Sequence, residues 1–254
     1  MKKLLLLSAF LIFACSSDDS SDTNDSNDDN NNDNAFICND SSYESVIYGT
    51  QEWTVENACH TTYRDGTPIP EITDNAEWES LSTGAWCYIE NDPTKPRLYN
   101  WYAVMGIHDT DPNTPNKEFA PDGWHVPTDT EWTTLEEYLN ANGYNFDDTI
   151  NLFGNTIAKS MASTSGWNSS NTIGAPGNDQ SLNNSSGFNA SVFGLRESFG
   201  LFYTQGDGGV ISFWTSTEFN SLSSYSRGLR NDEIWLGRGY KPKKCAIPVR
   251  LVKD

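Results

Sequence analysis

The sequence has little positive charge and no long apolar run. Its 254 residues include 16 Lys and Arg against 35 Asp and Glu, which gives a formal net charge of −19. Proteins that bind nucleic acids neutralise phosphates with basic side chains, so this charge balance excludes nucleic acid as an expected partner. The most apolar run, residues 4–14, is too short to cross a bilayer. We therefore expect neither a nucleic-acid-binding protein nor a membrane-spanning one.

Common catalytic motifs are also missing. The sequence contains none of GxSxG, HExxH, GxxxxGK[ST] and GxGxxG. His125 is the most enzyme-like residue because an imidazole can act as a base or a ligand, but a buried histidine that fixes the loop before a helix is the favoured interpretation. Cys59 and His60 are neighbours, and neighbours in a strand point to opposite faces, which disfavours a thiolate pair. We therefore predict no catalytic residue.

The first residues have the pattern of an export signal. Lys2 and Lys3 precede the apolar run, and Cys15 follows a small residue as in the bacterial lipobox, where the cysteine is lipidated. Residues 1–14 are therefore predicted to be a lipoprotein signal peptide. Residues 15–35 are predicted to be the lipidated cysteine and an acidic tether, because the nineteen residues after Cys15 are all Ser, Asp, Thr or Asn.

The rest of the chain, residues 36–254, is predicted to be one domain. The chain has nine Trp, eleven Tyr and twelve Phe, which is too many aromatic residues for a disordered polar protein.

Acidic residues directly after the lipobox cysteine resemble the signal that moves lipoproteins to the cell surface in Bacteroidota. We therefore expect a lipid-anchored protein of the outer membrane, exposed at the cell surface, with a polysaccharide or a surface protein as its partner.

Cysteines are few, and no two of them form a CxxC pair. A zinc site is therefore not expected. Four cysteines lie after the tether: Cys38, Cys59, Cys87 and Cys245. An even number of cysteines in an exported chain predicts two disulfides, and three pairings are possible.

The pattern of apolar residues predicts an α+β fold with one main helix. Thr128 and Glu131 have the spacing of a capping box, apolar residues follow on one face, and Gly143 can end the helix, which is expected at about residues 129–142. Shorter helices are expected at residues 75–81 and 157–163. The remainder is expected to be antiparallel strands and long loops.

Four segments have the composition of strands. Residues 52–58 and 246–252 are rich in β-formers and could pair, which would bring the two ends of the domain together. Later in the chain, aromatic strands alternate with turn residues. This alternation predicts one antiparallel hairpin over residues 202–217 and another over residues 224–237.

Long motifs occur in a fixed order along the domain. LYNWYAVMGIHD starts at Leu98, APDGWHVPTDTEWTTLEEYL at Ala120, KSMASTSGW at Lys159, FWTSTE at Phe213 and VRLVKD at Val249. They closely resemble the Fibrobacter succinogenes major paralogous domain, a family of exported proteins abundant in Bacteroidota, over roughly residues 48–254. The resemblance implies a C-type lectin-like fold, related in architecture to the sulfatase-modifying formylglycine-generating enzymes. The biochemical function of the family is mostly undefined.

The resemblance also marks positions expected to be structural. They are Trp53, Asn57, Asn100, Trp101, Gly123, Trp124, His125, Pro127, Trp132, Trp167, Gly187, Phe188, Arg196, Trp214 and Arg250. Most of the rings among them are expected in the core. Arg196 and Arg250 are expected to pair with buried carboxylates or carbonyls rather than with a ligand.

Two departures from the family pattern carry information, and so does one difference from the formylglycine-generating enzymes. Many members have cysteines where this chain has Ala120 and Leu251, so both halves of one disulfide are absent together. The Pro-Gly-Gly-x-Arg segment of the family is Val-Phe-Gly-Leu-Arg at residues 192–196, which loosens its turn chemistry. Formylglycine-generating enzymes use two active-site cysteines near the chain end, and here only Cys245 is present. That difference argues against their activity.

A loop of oxygen-bearing side chains imitates the start of a calcium site. Asp109, Asp111 and Asn113 have the spacing of EF-hand positions one, three and five, but Thr114 and Ala120 replace the glycine and the bidentate glutamate. The triplets of calcium-dependent lectins are absent from the sequence. A solvated acidic loop is therefore favoured, no cofactor is predicted, and a structural calcium ion stays possible.

The leading functional hypothesis is a noncatalytic binding module for a glycan or a protein. Trp78, Trp86 and Trp235 lie outside the family motifs and are expected to be exposed, and Asn178 and Asp179 lie in a polar loop suited to ligand contact. The alternatives are an enzyme related in fold to the formylglycine-generating enzymes and a structural subunit of an outer-membrane complex.

Overall fold

Three antiparallel sheets form the framework of the chain in a computed structural model that describes residues 42–150, 154–203 and 209–254. The strands are β1 Ser45–Tyr48, β2 Gln51–Thr54, β3 Trp86–Tyr88, β4 Arg97–Asn100, β5 Trp124–His125, β6 Leu195–Arg196, β7 Phe202–Tyr203, β8 Val210–Asn220, β9 Ser223–Arg230, β10 Gly237–Pro242, β11 Ala246–Ile247 and β12 Val252–Lys253. The strand orders are β1-β2-β12-β5, β10-β9-β8 and β3-β4-β11-β6-β7. The described residues all belong to one compact unit, Asn34–Asp254. The α+β prediction is confirmed. The predicted signal peptide, Cys15, the tether and Cys38 lie outside the described residues.

Three of the four α-helices in the described residues lie where local sequence signals predicted them. They are α1 Asn75–Ser80, α2 Trp101–Val104, α3 Asp129–Ala141 and α4 Ala158–Met161, with 3-10 turns at Ile89–Asn91 and Gln180–Leu182. The capping box of α3 is complete, and Gly143 follows its end with φ +83°. Among the described residues, no helix is both long enough and apolar enough to cross a bilayer. The predictions at residues 75–81 and 157–163 are confirmed, whereas α2 was not predicted.

The two ends of the domain meet in the first sheet. Val252 of β12 pairs with Trp53 of β2 on one side and with His125 of β5 on the other. The expected pairing of residues 52–58 with residues 246–252 is therefore confirmed at its outer end. The inner end differs, because Ala246 pairs with β4 and β6 in the five-stranded sheet.

One of the two predicted hairpins is wrong. Residues 202–217 were expected to fold back on themselves, but β7 pairs with β6 and β8 pairs with β9. The turn residues 204–208 lie outside the described part of the chain. The second hairpin is confirmed only in part: β9 pairs with β10, but β10 begins at Gly237, so residues 233–236 of the predicted second strand belong to the connection. Turn composition was correctly interpreted as a chain reversal there, because both partner strands are close in sequence.

Aromatic rings fill the core, as expected for the motif tryptophans. Trp53 and Trp132 lie with ring centroids 4.7 Å apart, and Phe188 and Phe213 pack against Trp132 at 5.8 and 5.6 Å. Burial of a large ring contributes more than burial of any aliphatic side chain. Five of the six motif tryptophans are buried, and Trp124 is half-buried.

The prediction of two disulfides is wrong. Cys87 in β3 and Cys245, directly before β11, are buried free thiols. Burial raises the pKa of each thiol to about 12, which keeps both protonated and unreactive at neutral pH. A pairing of Cys59 with Cys38, which lies outside the described residues, stays a prediction.

Candidate functional site

The three-stranded sheet is fastened to helix α3 by two arginines. Arg227 on β9 lies directly opposite Arg238 on β10, so both side chains are on the same face of the sheet. Nη2 of Arg227 lies 2.8 Å from Oδ1 of Asp129, and its Nη1 lies 2.8 Å from Oε2 of Glu136. Nη2 of Arg238 lies 2.8 Å from Oδ2 of Asp129. These contacts fix how the sheet face meets the first turn of α3.

Beyond that contact, the same face carries an exposed group of rings, which we call the aromatic platform: Phe219, Tyr225 and Tyr240. Phe219 and Tyr240 are stacked, with centroids 4.4 Å apart and planes 8° from parallel. Tyr225 meets Phe219 edge to face at 5.1 Å. Phe219 is 42% exposed and Tyr240 is 60% exposed. The platform therefore offers solvent a stacked pair of rings, with Tyr225 supporting Phe219 edge to face.

Charged groups border the aromatic platform. The guanidinium of Arg238 lies 4.0 Å from the ring centroid of Tyr225, which is within cation–π range. Burial acts to raise the pKa of Asp129, but hydrogen bonds from Arg238 and Arg227 outweigh it and hold that pKa below its usual range. The hydrogen bond to Asp129 raises the pKa of Arg238. Flat rings beside a fixed ion pair suit a ligand with an apolar face and polar edges.

Two of the three tryptophans expected at the surface are buried, so that expectation is wrong for them. Trp78 is fully buried, its Nε1 donates to the carbonyl of Lys244 at 2.8 Å, and the guanidinium of Arg196 lies 4.3 Å from its ring. Trp86 is 5% exposed, and its Nε1 donates to the carbonyl of Ile69 at 2.9 Å. Each indole N–H has a carbonyl partner, so neither ring needs solvent.

The third tryptophan, Trp235, is 46% exposed on the connection between β9 and β10. The polar loop reaches this connection, because the N–H of Gly177 donates to the carbonyl of Asn231 at 2.8 Å. The carbonyls of Asn178 and Asp179 both accept hydrogen bonds from Nζ of Lys159. The structure thus places the loop near the connection and gives the backbone of Asn178 and Asp179 an internal partner.

The acidic loop forms local turns. Oδ1 of Asp109 accepts from the N–H of Asp111, and Oδ1 of Asp111 accepts from the backbone and the side chain of Asn113, all at 2.9 Å. Such bonds between a side chain and the backbone two residues on are typical of Asx turns. No group of three or more His, Cys, Asp or Glu placed to hold a metal ion occurs in residues 42–150, 154–203 or 209–254.

His125 joins the main helix to the first sheet. Its Nε2 lies 2.7 Å from Oε1 of Glu131, and its Nδ1 lies 2.8 Å from Oδ1 of Asp254. Oε2 of Glu131 accepts from the N–H of Thr128 in the capping box. The imidazole is half-buried rather than buried, and both ring nitrogens are engaged by carboxylates. This geometry agrees with the structural interpretation of His125.

The contacts of His125 predict a dependence of stability on pH. Burial acts to lower the pKa of His125, but the hydrogen bonds that the imidazolium donates to the carboxylates of Glu131 and Asp254 outweigh it and raise the pKa above its usual range. The protonated imidazole therefore stabilises the fold fully below its unfolded pKa, and this stabilisation is lost as pH rises through the raised pKa. We expect wild type to lose stability relative to His125→Gln as the pH rises from about 6.5 through the raised pKa, measured by urea unfolding. Parallel curves for the two proteins would contradict this assignment.

Several other motif residues have structural roles. Asn100 caps α2, since its Oδ1 accepts from the N–H of Ala103 at 2.9 Å, and the same oxygen accepts from Ala85. Arg196 donates to the carbonyls of Ile72 and Gly200 at 2.6 and 2.8 Å. The expectation that Arg196 pairs with buried carbonyls is therefore confirmed.

The sequence-based search did not include the aromatic platform. Phe219, Tyr225 and Tyr240 are spread over three strands, and their contact depends on the register of β8, β9 and β10. A local signal was present, because Tyr225 and Tyr240 are large rings flanked by Ser, Gly, Arg and Lys, a pattern typical of an exposed strand. Only pairing information would have joined them.

Comparison with known proteins identifies the family. The family model described as the Fibrobacter succinogenes major domain matches residues 46–253, which covers most of the chain. The protein therefore belongs to this family. No curated protein and no solved structure matches the chain.

Proposed function

We propose that this protein is a noncatalytic binding module that recognises a glycan through the aromatic platform. The observation that carries the proposal is the exposed stacked pair of Phe219 and Tyr240. The ring faces that Phe219 and Tyr240 turn away from each other suit the apolar C–H face of a pyranose, and their burial by a sugar would be favourable. Arg238 and Asp129 at the border supply donors and acceptors for the hydroxyl groups.

The rigidity of the platform supports a binding role. Phe219, Tyr225 and Tyr240 lie on strands of one sheet, and that sheet is held to α3 through Arg227 and Arg238. Binding to a surface that is already ordered avoids most of the entropy cost of fixing side chains. Carbohydrate ligands form weak contacts, so this preorganisation favours a measurable affinity.

The fold and the location are part of the same proposal. We infer a C-type lectin-like fold from the resemblance of the sequence motifs, with recognition surfaces carried on a rigid base. The lipobox pattern at Cys15 and the acidic tether support a lipid-anchored protein on the outer membrane, displayed at the cell surface. Protease treatment of intact cells tests the display: loss of the domain supports it, and full protection of the domain contradicts it.

A glycan array tests the ligand class. We expect the purified domain to bind at least one neutral polysaccharide, and Phe219→Ala or Tyr240→Ala to weaken that binding about fivefold or more, since stacking on each ring contributes about 1 kcal/mol or more. Trp235→Ala is the matched control, because it removes an exposed ring outside the platform. Binding should be equal in calcium and in EDTA.

The outcomes separate this proposal from its alternatives. Binding that is lost in the platform variants and kept in Trp235→Ala supports the platform. Binding lost only in Trp235→Ala moves the site to the β9–β10 connection and contradicts the platform. No binding to any glycan contradicts glycan recognition, and crosslinking in intact outer membranes would then test a protein partner or a structural subunit.

A further inference from the structure

Three arginines are fully buried, and they differ in how their charge is balanced. They are Arg196, Arg227 and Arg250. Arg227 contacts two carboxylates, and Arg196 donates to four oxygens, in the backbone of residues 72, 73 and 200 and in the side chain of Asn75. A buried cation is costly unless it is paired with a negative charge. The third guanidinium, that of Arg250, differs from the guanidinium of Arg227 in having no carboxylate among its hydrogen-bond partners.

All the hydrogen-bond partners of Arg250 among the described residues are neutral. Its Nε donates to Oδ1 of Asn57 at 2.7 Å, Nη1 donates to the carbonyls of Thr54 and Val55, and Nη2 donates to the carbonyl of Asn189 at 3.2 Å. The expectation that Arg250 pairs with carbonyls is thus confirmed. Four of its five N–H groups are used, and the second hydrogen on Nη2 has no partner in the part of the chain that the structure describes. Burial lowers the pKa of Arg250 to about 9, so it stays charged at neutral pH.

Arg250 lines a pocket of about 180 Å³. This is smaller than the roughly 300–1,000 Å³ typical of sites for drug-sized ligands, so the pocket suits one small chemical group or one sugar residue. Asn57 and Ser191 supply polar groups, and Phe193 supplies a partly buried aromatic wall. Neither Nδ2 of Asn57 nor Oγ of Ser191 has a hydrogen-bond partner within the described residues.

We propose that this pocket binds the carboxylate of an acidic sugar residue, with Arg250 and the Asn57 amide as its donors. The pocket joins a buried cation without a carboxylate among its hydrogen-bond partners to unused donors, and the carboxylate of a ligand would accept charge-assisted hydrogen bonds there. Phe193 offers an apolar surface for the ring of the sugar. Glu56, exposed on the lining, opposes a second negative charge and so favours a monoanionic carboxylate over a phosphate dianion. This site does not depend on the aromatic platform.

Binding of glucuronate to the purified protein tests the proposal. By calorimetry or ligand-observed NMR we expect saturable binding with a Kd of about 1 mM, with glucose and phosphate each at least about tenfold weaker. Asn57→Asp is the main variant. It keeps an oxygen that accepts from Nε of Arg250, removes the amide donor and adds a negative charge, so affinity should fall about tenfold or more while the unfolding midpoint is maintained.

Glu56→Gln is expected to change the affinity for glucuronate in the opposite direction from Asn57→Asp. Removing the carboxylate from the lining should tighten glucuronate binding about threefold. Three results would overturn the proposal: no saturable binding of glucuronate, unchanged affinity in Asn57→Asp, or phosphate binding more tightly than glucuronate. Phe219→Ala should leave glucuronate affinity unchanged, so failure of this site and failure of the platform are distinguished in one set of proteins.

Discussion

Replacing Arg227 with methionine is expected to lower the free energy of unfolding by about 3–5 kcal/mol at neutral pH. The guanidinium is almost fully buried, and it lies 2.8 Å from both Asp129 and Glu136. Its removal leaves these carboxylates facing an apolar side chain, although Arg238 still pairs with Asp129. Chemical denaturation of the purified domain measures the loss.

Arg230 provides the matched control on the same strand. It is 52% exposed and lies 3.4–3.5 Å from Asp232 and Glu233. Exposed pairs of this kind contribute at most about 1 kcal/mol, so Arg230→Met should be nearly neutral. Equal destabilisation by both variants would show that strand propensity, not the buried ion pairs, determines the effect.

Phe213→Ala is expected to destabilise the domain by about 3–5 kcal/mol, because it leaves a cavity among large rings. Phe213 is 1% exposed, stacks on Trp132, and lies edge to face with Phe188 at 5.8 Å. Its ring also lies 5.5 Å from the guanidinium of Arg250, so the loss extends to that buried cation. Thermal and denaturant unfolding measure the change.

Phe219→Ala on the same strand should cost about 1 kcal/mol or less, because Phe219 keeps nearly half of its surface in water. The two variants therefore distinguish a phenylalanine of the core, Phe213, from an exposed phenylalanine of the platform, Phe219. If Phe219→Ala unfolded the domain as readily as Phe213→Ala, the platform would be part of the core, and the loss of glycan binding in that variant would no longer report on a site.

Local signals explain what the sequence predicted correctly. The capping box of Thr128 and Glu131 specifies the start of α3 through bonds between residues three apart, and the helix begins at the next residue. The pairing of the domain ends was also predicted, because residues 52–58 and residues 246–252 are both rich in β-formers and each needs a partner strand.

Features that depend on distant pairing were not predicted. Whether β8 pairs with β7 or β9 is decided by packing over the whole sheet, and the turn composition before β8 gave no information about it. Trp78 and Trp86 were expected at the surface because they lie outside the family motifs. Each ring is instead buried with its indole N–H donating to a backbone carbonyl elsewhere in the chain. The acceptor is Lys244 for Trp78 and Ile69 for Trp86.

The position of β12 has a consequence for the order of events during synthesis. β12 lies between β2 and β5 in the first sheet, and the N–H of Leu251 donates to Oγ1 of Thr54, 197 residues earlier. That sheet is therefore incomplete until residues 252–253 have left the ribosome, and the chain before then lacks its closing strand. A polypeptide that must pass through a translocation channel before folding benefits from this delay, since early compaction would block passage. Under the export proposed for this chain, the topology would therefore delay completion of the first sheet until its last strand has been made.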